Sequence, residues 1–340
     1  MDLSGFPRRR YTHSITPIQK LERLGSRFGL NIYVKRDDLQ GLAGGGNKTR
    51  KMEFLMGDAL RRGANTIVTR GVLQSNSCRV ALAAAAAEGL PCHLVLEERV
   101  PNSYDPKACG NFLLYNLLGA QALHVVRNSG VHGQMQMLMQ AETQRVMDSL
   151  ASKEGCNPYL IPTGGSNEIG TLGYVAAALE IVHQLYNMKT KIDYIVVPSG
   201  SGGTHAGLLC GLVSMGVEIP IIGIGAGRPN DVQRDLVFSI CSKTSALLNL
   251  KNTPSMDDIL LFDEYIGEGY SIPTKGMVDA VKTLASIEGI LLDPVYSGKA
   301  MDGFIDLAYK GYFGSGKNIL FLVTGGAHSL HANAKEFFAG

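Results

Sequence analysis

The chain has 340 residues, and its 32 lysines and arginines nearly balance its 30 aspartates and glutamates, which leaves a formal net charge of +2. A hydrophobic fraction of 45% and a mean hydropathy of +0.06 exclude a disordered chain, and near-neutrality excludes the charge pattern of a nucleic-acid binder. The longest apolar run, residues 80–87, is far shorter than the roughly 20 residues that span a bilayer. We therefore expect a soluble protein of about two domains, with no nucleic-acid or membrane partner.

Apolar segments of strand length alternate with Ala-rich or amphipathic segments of helix length. The predicted strands are residues 32–35, 66–69, 92–96, 194–197, 221–225 and 319–323. The predicted helices are residues 48–62, 79–88 and 206–215. This alternation is typical of an α/β fold with mostly parallel, twisted sheets flanked by helices.

The six cysteines are widely spaced and form no CxxC pair, and the eight histidines include no HExxH pattern. Disulfide frameworks and zinc sites need closer pairs, so we expect buried free thiols and no metal. The arginines at positions 8–10 are not followed by the apolar segment of a signal peptide. These patterns predict a cytoplasmic protein.

A glycine-rich loop follows the predicted strand 194–197 and precedes the helix 206–215. Its residues are Ser199, Gly200, Ser201, Gly202, Gly203 and Thr204. Backbone N–H groups and hydroxyl groups in such a strand-to-helix turn favour a phosphate ligand, although a tight turn without a ligand is the alternative. The loop is a poor dinucleotide fingerprint because His205 stands at the place of the third glycine.

Lys48 follows three consecutive glycines and begins a predicted helix that also contains Lys51. A lysine beside an open loop and a helix N-terminus is in a setting that disfavours the ammonium form. Position alone leaves an ordinary solvated lysine as the alternative. The combination of this lysine with a separate phosphate loop points to pyridoxal 5'-phosphate (PLP), which needs both a Schiff-base lysine and an anion site.

Six motifs in the same order make the sequence similar to the D-cysteine desulfhydrase and 1-aminocyclopropane-1-carboxylate deaminase family. They are KRDDL (35–39), GGGNKTRKMEFL (44–55), QSNS (74–77), SGSGGTHAG (199–207), LLDPVYSGKA (291–300) and TGG (324–326). The resemblance implies PLP fold type II, the fold of tryptophan synthase β. It also implies two interleaved domains, a large PLP-binding domain of residues 1–50 plus 161–340 and a small domain of residues 51–160, and a homodimer.

The resemblance assigns roles to individual residues. Lys48 would bind PLP covalently and move protons at the substrate Cα, while Lys51 and the loop from Ser199 to Thr204 would hold the cofactor phosphate. The Ser75, Asn76 and Ser77 loop would bind the substrate carboxylate, with Asn76 beside the cofactor ring. Considered without the family, these three residues read as a polar helix cap.

Two tyrosines and a threonine complete the implied site. Tyr296 and Tyr270 match active-site tyrosines whose hydroxyl groups would assist proton transfer or stabilise the leaving group, although a lone tyrosine is more often a core residue. Thr324 matches the threonine near the pyridine nitrogen. Many desulfhydrase relatives carry histidine at positions 77 and 323, where this chain has Ser77 and Val323.

The resemblance implies α,β-elimination on a small cysteine-like amino acid, with D-cysteine the first choice and pyruvate, ammonia and hydrogen sulfide the products. L-Cysteate sulfo-lyase chemistry is the first alternative and would need a cation for the sulfonate, such as Arg79 or Arg228. The cyclopropane deaminase reaction is disfavoured because those relatives carry glutamate where Ser297 stands. A catalytically silent PLP-binding protein is the remaining alternative.

Overall fold

The computed structural model describes residues 2–127 and 134–338. Its strands are β1 (Ile18–Lys20), β2 (Asn31–Arg36), β3 (Thr66–Val72), β4 (Cys92–Glu97), β5 (Ala122–Val126), β6 (Pro158–Ile161), β7 (Tyr194–Ser199), β8 (Ile221–Gly225), β9 (Leu260–Phe262) and β10 (Asn318–Val323). Its helices are α1 (Glu22–Phe28), α2 (Lys48–Arg61), α3 (Asn76–Ala87), α4 (Asn111–Leu117), α5 (Gln134–Ala151), α6 (Glu168–Met188), α7 (Gly203–Ser214), α8 (Asn230–Leu247), α9 (Lys275–Glu288), α10 (Ser297–Tyr309), α11 (Ser329–Ala332) and α12 (Ala334–Phe338). Every predicted element is present, with ends that differ by three residues or fewer.

The strands form two sheets. The larger has the order β1-β2-β10-β7-β8-β9, and the smaller has the order β5-β4-β3-β6. Every pairing is parallel except that of β1 with β2. The predicted fold class, α/β with mostly parallel sheets flanked by helices, is confirmed.

The larger sheet is buried on both faces. Along β10, Ile319 and Phe321 pack into a core that includes α1, α9 and α10, whereas Leu320 and Leu322 pack against α6, α7 and α8. Successive side chains of a strand point to opposite faces, so this continuous apolar run supplies both cores. The strand therefore lies at the centre of the sheet.

The smaller sheet is also covered on both faces. Helices α2, α3 and α4 pack on one face, and α5 packs on the other against Val68 and Val95. We propose that the two sheets are the cores of the two predicted domains. Four of the six cysteines are buried, as expected, but Cys109 is exposed and Cys156 is half-buried, and all six are free.

Candidate active site

The carboxyl ends of β3, β7 and β10 face the N-terminus of α2, and a cavity lies between them. Ligand sites of parallel α/β sheets form at such strand ends. The cavity holds about 410 Å³ of empty space. It is lined by Asn47, Lys48, Asn76, Pro198, Ser199, Gly200, Ser201, Gly202, Thr204, His205, Tyr296, Thr324 and Gly325. Most of the predicted site residues therefore lie around one space.

Lys48 is the first residue of α2, and its amine lies in this cavity. The Nζ atom donates a hydrogen bond of 3.0 Å to Oδ1 of Asn47 and lies 5.8 Å from the centre of the Tyr296 ring. Burial lowers the pKa of Lys48 to about 8, the nearby Asp293 carboxylate opposes this shift, and Arg79 adds to it. The depressed pKa that we expected is present, but its main cause is desolvation and not the helix N-terminus.

Arg79 holds the glycine loop that precedes Lys48. Its guanidinium donates to the backbone carbonyls of Ala43 and Gly45, the latter at 3.0 Å, and its Nε donates to Oδ1 of Asn111 at 2.8 Å. Arg79 is fully buried and does not line the cavity. Of the two candidate cations for a substrate sulfonate, Arg79 is therefore not the one in the cavity, and carbonyl groups of the chain already accept from its donors.

The glycine loop after β7 forms one wall of the cavity. Helix α7 begins immediately after Gly202, and the Gly203 N–H in its first turn donates to the Ser166 hydroxyl at 3.3 Å. A Cβ atom on Gly200 would lie 2.8 Å from Cε1 of Tyr296, so only glycine fits there. The Thr204 hydroxyl group is fixed by a 3.0 Å hydrogen bond from Nδ2 of Asn47. A glycine-rich helix N-terminus with flanking hydroxyl groups is a suitable site for a phosphate.

Lys51 lies behind this loop. Its Nζ donates to the Gly164 carbonyl at 3.2 Å and to the Ser166 hydroxyl at 2.9 Å, and it lies 3.0 Å from where a Cβ of Gly203 would stand. Burial, and then the positive charge of Lys48, lower the pKa of Lys51 well below its usual range. Both oxygen partners are uncharged. A bound anion at the loop would stabilise this ammonium, so the residues present fit a phosphate group.

Ser75, Asn76 and Ser77 lie at the N-terminus of α3 and have three different environments. The Ser75 hydroxyl accepts a 3.1 Å hydrogen bond from the Cys78 backbone and caps the helix. Oδ1 of Asn76 accepts a 2.7 Å hydrogen bond from Asn111. The Ser77 hydroxyl is buried and has no protein partner within the described chain. The capping interpretation thus holds for Ser75, while Ser77 has a hydroxyl group available to a ligand.

Tyr270 and Tyr296 form a pair beside Lys48. Their hydroxyl groups are hydrogen-bonded to each other, and their rings contact edge to face with centroids 5.7 Å apart. Burial raises the pKa of both phenols. Both hydroxyl groups are therefore protonated at neutral pH and available as acids.

The sequence interpretation missed Asp293, which sets the position of Tyr296. The buried carboxylate accepts hydrogen bonds from the backbone of Val295, Tyr296 and Ser297 and from the Ser297 hydroxyl at 2.6 Å. An aspartate directly before a proline, here Asp293 and Pro294, favours the start of a turn and would have identified it. The Ser297 hydroxyl is directed to Asp293 and does not line the cavity.

Val323 is the last residue of the central strand β10, and Thr324 follows it. Thr324 lines the cavity and is 5% exposed, and its carbonyl accepts the backbone N–H of Asn47 at 2.9 Å. Val323 is fully buried in the core of the larger sheet. The position at which relatives carry histidine therefore contributes packing here and no polar group.

A wider chamber of about 1860 Å³, partly open to solvent, adjoins the cavity. Three guanidinium groups, of Arg70, Arg99 and Arg228, and one carboxylate, of Glu97, line it. Arg99 pairs with Glu97 and lies 4.6 Å above the Tyr270 ring. Substrate entering from this chamber would meet a positively charged wall before it reaches Lys48.

Comparison with known proteins agrees with this geometry. Residues 10–325 match the family model described as pyridoxal-phosphate dependent enzyme. The chain belongs to the family of pyridoxal-phosphate dependent enzymes. Its cofactor is PLP, in agreement with the sequence prediction.

Several curated relatives are named D-cysteine desulfhydrase. The protein of Yersinia enterocolitica is 42% identical over 331 residues, and that of Salmonella typhimurium is 40% identical over 331 residues, with 97% of both chains covered in each case. A solved structure described as an ACC deaminase homologue is 37% identical, with a TM-score of 0.86, and covers 98% of this chain and 96% of its own. A fungal L-serine ammonia-lyase from Rhizomucor miehei, 19% identical with a TM-score of 0.65, shares the fold.

Within the part of the chain that the structure describes, we find no helix both long and apolar enough to cross a membrane.

Proposed function

We propose that the chain is a carbon–sulfur lyase that converts D-cysteine and water to pyruvate, ammonia and hydrogen sulfide. The observation that carries the proposal is that the Lys48 amine, whose pKa is about 8, lies 5.8 Å from the centre of the Tyr296 ring, whose hydroxyl group is hydrogen-bonded to that of Tyr270, and that all three residues line one chamber. A base and a pair of acids next to an anion site are what an elimination needs. Relatives named D-cysteine desulfhydrase, 40–42% identical over 97% of the chain, support this substrate.

The cofactor would be held at two points. Lys48 would bind its aldehyde carbon, and Lys51 with the loop from Ser199 to Thr204 would bind its phosphate group. Thr324 would offer a neutral hydroxyl group to the pyridine nitrogen. When bound, PLP supplies an electron-withdrawing ring that stabilises negative charge at the substrate Cα.

The side chains of this protein would then move the protons. Ser77 and Asn76 would bind the substrate carboxylate and orient the Cα–H bond toward Lys48. The substrate amine would displace Nζ of Lys48 from the aldehyde carbon, and the freed Nζ would remove the Cα proton. Tyr296 or Tyr270 would give a proton to the sulfur as the Cβ–S bond breaks. The sulfur leaves as hydrogen sulfide, and water then hydrolyses the three-carbon product to pyruvate and ammonia.

The test is release of pyruvate and sulfide from the purified, PLP-loaded protein. We expect both products in equal amounts from D-cysteine, and less from L-cysteine, D-serine or the cyclopropane amino acid. Lys48→Ala should release neither product. Lys310→Ala, a change at an exposed lysine paired with Asp306, is the matched control and should match the wild type. If none of these substrates released pyruvate or sulfide, the result would support a non-catalytic PLP-binding protein instead.

A second candidate reaction, elimination of sulfite from L-cysteate, is supported by the positively charged chamber. Nη1 of Arg228 donates to the Gly200 carbonyl at 2.9 Å, and the place of a Cβ on Gly200 is 2.8 Å from the Tyr296 ring. Burial, and then the charge of Arg99, lower the pKa of Arg228. A sulfonate between the two guanidinium groups would relieve their repulsion.

One series of assays distinguishes elimination from D-cysteine and elimination from L-cysteate. If the cysteate reaction is the physiological one, sulfite release from L-cysteate should exceed sulfide release from D-cysteine. Arg228→Met should then lower the cysteate kcat/KM about tenfold or more, the effect of losing one charge-assisted hydrogen bond. The same variant should change the D-cysteine value less than threefold. Equal losses with both substrates would argue against a sulfonate site.

Two further properties are proposals from the resemblance. We propose a homodimer in the cytoplasm, and light scattering should then give a mass about twice the 36.5 kDa of one chain. A value near that of a single chain would refute the dimer.

Ring opening of the cyclopropane amino acid is not proposed, because Ser297 is directed to Asp293 and does not face the cavity.

A further inference from the structure

Lys299 is a buried cation outside the residues considered so far. It lies in the first turn of α10, three residues after Tyr296, and is 1% exposed. Its Nζ donates to the backbone carbonyl of Ile266 at 2.6 Å and to that of Gly269 at 2.9 Å. Both partners are uncharged, and burial lowers the pKa of Lys299 to about 8. A buried ammonium with only neutral partners is costly, so a purely structural reason for it is weak.

The two carbonyl groups belong to the connection between β9 and α9, residues 263–274, which contains no strand or helix. Its backbone has positive φ at Gly267 (69°) and at Ser271 (64°). Ser271 is not glycine, and such a residue adopts this conformation only when its surroundings impose it. Residue 270 lies between the Lys299-bound carbonyl of Gly269 and this strained position. The Lys299 ammonium therefore acts directly on the backbone that carries Tyr270.

The position of Tyr270 leaves little freedom. A Cβ on Gly227 would lie 2.5 Å from Cβ of Tyr270, so the segments that carry these two residues are in close contact. On its other side the Tyr270 hydroxyl meets that of Tyr296, which immediately precedes α10. A movement of the connection by 1 Å would break this hydroxyl contact, since hydrogen bonds weaken steeply with distance.

We propose that Lys299 is a positioning residue for Tyr270: its ammonium binds the Ile266–Gly269 turn to helix α10, which directly follows Tyr296, so that the two tyrosine hydroxyl groups meet beside the reacting atoms. The N-terminal end of α10 thus fixes the positions of both Tyr270 and Tyr296. The catalytic part of this inference rests on the proposed function, and the anchoring of the connection does not.

The test combines a structural and a kinetic measurement on the PLP-loaded protein. Lys299→Met should raise amide hydrogen exchange in residues 263–274 about tenfold while exchange in the central strand β10 stays unchanged. It should lower kcat with D-cysteine about 10–100-fold, the loss expected for a misplaced acid, and leave KM within threefold. Lys243→Met, at an exposed position of α8, is the control for both readouts.

A double-mutant cycle distinguishes a positioning role of Lys299 from a general loss of structure in the variant. If Lys299 acts through Tyr270, Lys299→Met should reduce kcat less than threefold when Tyr270→Phe is already present. Lys299→Gln, which keeps an uncharged donor, should give intermediate values and serves as the second variant if Lys299→Met does not fold.

The proposal would be overturned if Lys299→Met lowered kcat equally in the wild type and in Tyr270→Phe. Unchanged amide hydrogen exchange in residues 263–274 would also overturn it. Faster exchange in that segment, in a protein whose wild type releases no pyruvate or sulfide, would support the anchoring while refuting the proposed function. The two failures are therefore distinguishable.

Discussion

Ser75 and Ser77 are two residues apart on the same helix end. One hydroxyl group caps the helix, while the other is buried and has no hydrogen-bond partner among residues 2–127 and 134–338. Substitution by alanine should therefore affect stability at Ser75 and substrate binding at Ser77. Ser75→Ala should lower the free energy of unfolding by about 1 kcal/mol, the value of an N-cap. Ser77→Ala should leave the stability of the apoprotein unchanged or higher, because no internal hydrogen bond is lost, and should raise KM about tenfold.

Urea unfolding and steady-state kinetics on both variants check this prediction. A Ser77→Ala protein with an unchanged KM would show that its hydroxyl group does not bind substrate.

The lowered pKa of Lys48 predicts how capture of PLP depends on pH. Only the neutral amine reacts with an aldehyde, and its folded pKa is about 8 instead of 10.5. The rate of PLP binding by the apoprotein should therefore rise with pH through a midpoint near 8. Absorbance of the lysine-bound cofactor at about 410–430 nm follows the reaction. A midpoint above 10 would mean that the amine is solvated.

The buried contacts of Arg79 predict a structural role in cofactor binding. Arg79→Met removes the donors from the Ala43 and Gly45 carbonyls, which should lower the free energy of unfolding by about 2–4 kcal/mol. The loop before Lys48 should also retain PLP more weakly. Arg61→Met is the control, because its side chain is 58% exposed and pairs with Asp58 on the same helix. That change should cost at most about 1 kcal/mol. Chemical unfolding and PLP titration measure both effects.

The hydroxyl contact between Tyr270 and Tyr296 predicts a shared function. Each single change to phenylalanine should lower kcat about 10²-fold, and the double change should lower it little further. Tyr265→Phe removes a hydroxyl group in the same connection that instead bonds Asp306 at 2.5 Å. It should leave kcat within threefold. Independent, multiplicative losses at Tyr270 and Tyr296 would contradict a coupled pair.

Local sequence patterns were sufficient for most of the fold. Strand β8 has its predicted bounds, because an apolar run follows Pro220 directly and ends at a glycine. Helix α3 begins three residues before its prediction, since the polar residues at its start read as loop although Ser75 caps them. Short strands such as β1 and β9, of three residues each, have too few side chains for a period to be detected.

The site was predictable where a motif carries the residue and not where tertiary contacts decide. Lys48, Thr324 and Tyr296 line one cavity, as the family motifs imply. The place of Arg79 could not be predicted, because a sequence shows that a charge exists but not which carbonyl groups bind it. Nothing in the local pattern distinguishes the buried Lys299 from the exposed Lys310, since burial depends on a connection some 30 residues earlier in the chain.

The central position of β10 sets the order in which a growing polypeptide acquires structure. The four strands of the smaller sheet are all synthesised by residue 161, whereas the strand that joins β2 to β7 is completed only at residue 323. A chain released by the ribosome before residue 318 has β2 and β7 with open edges on either side of a gap. Such edges are templates for pairing with other molecules. Premature termination anywhere before this strand should therefore yield aggregates and not a shortened enzyme.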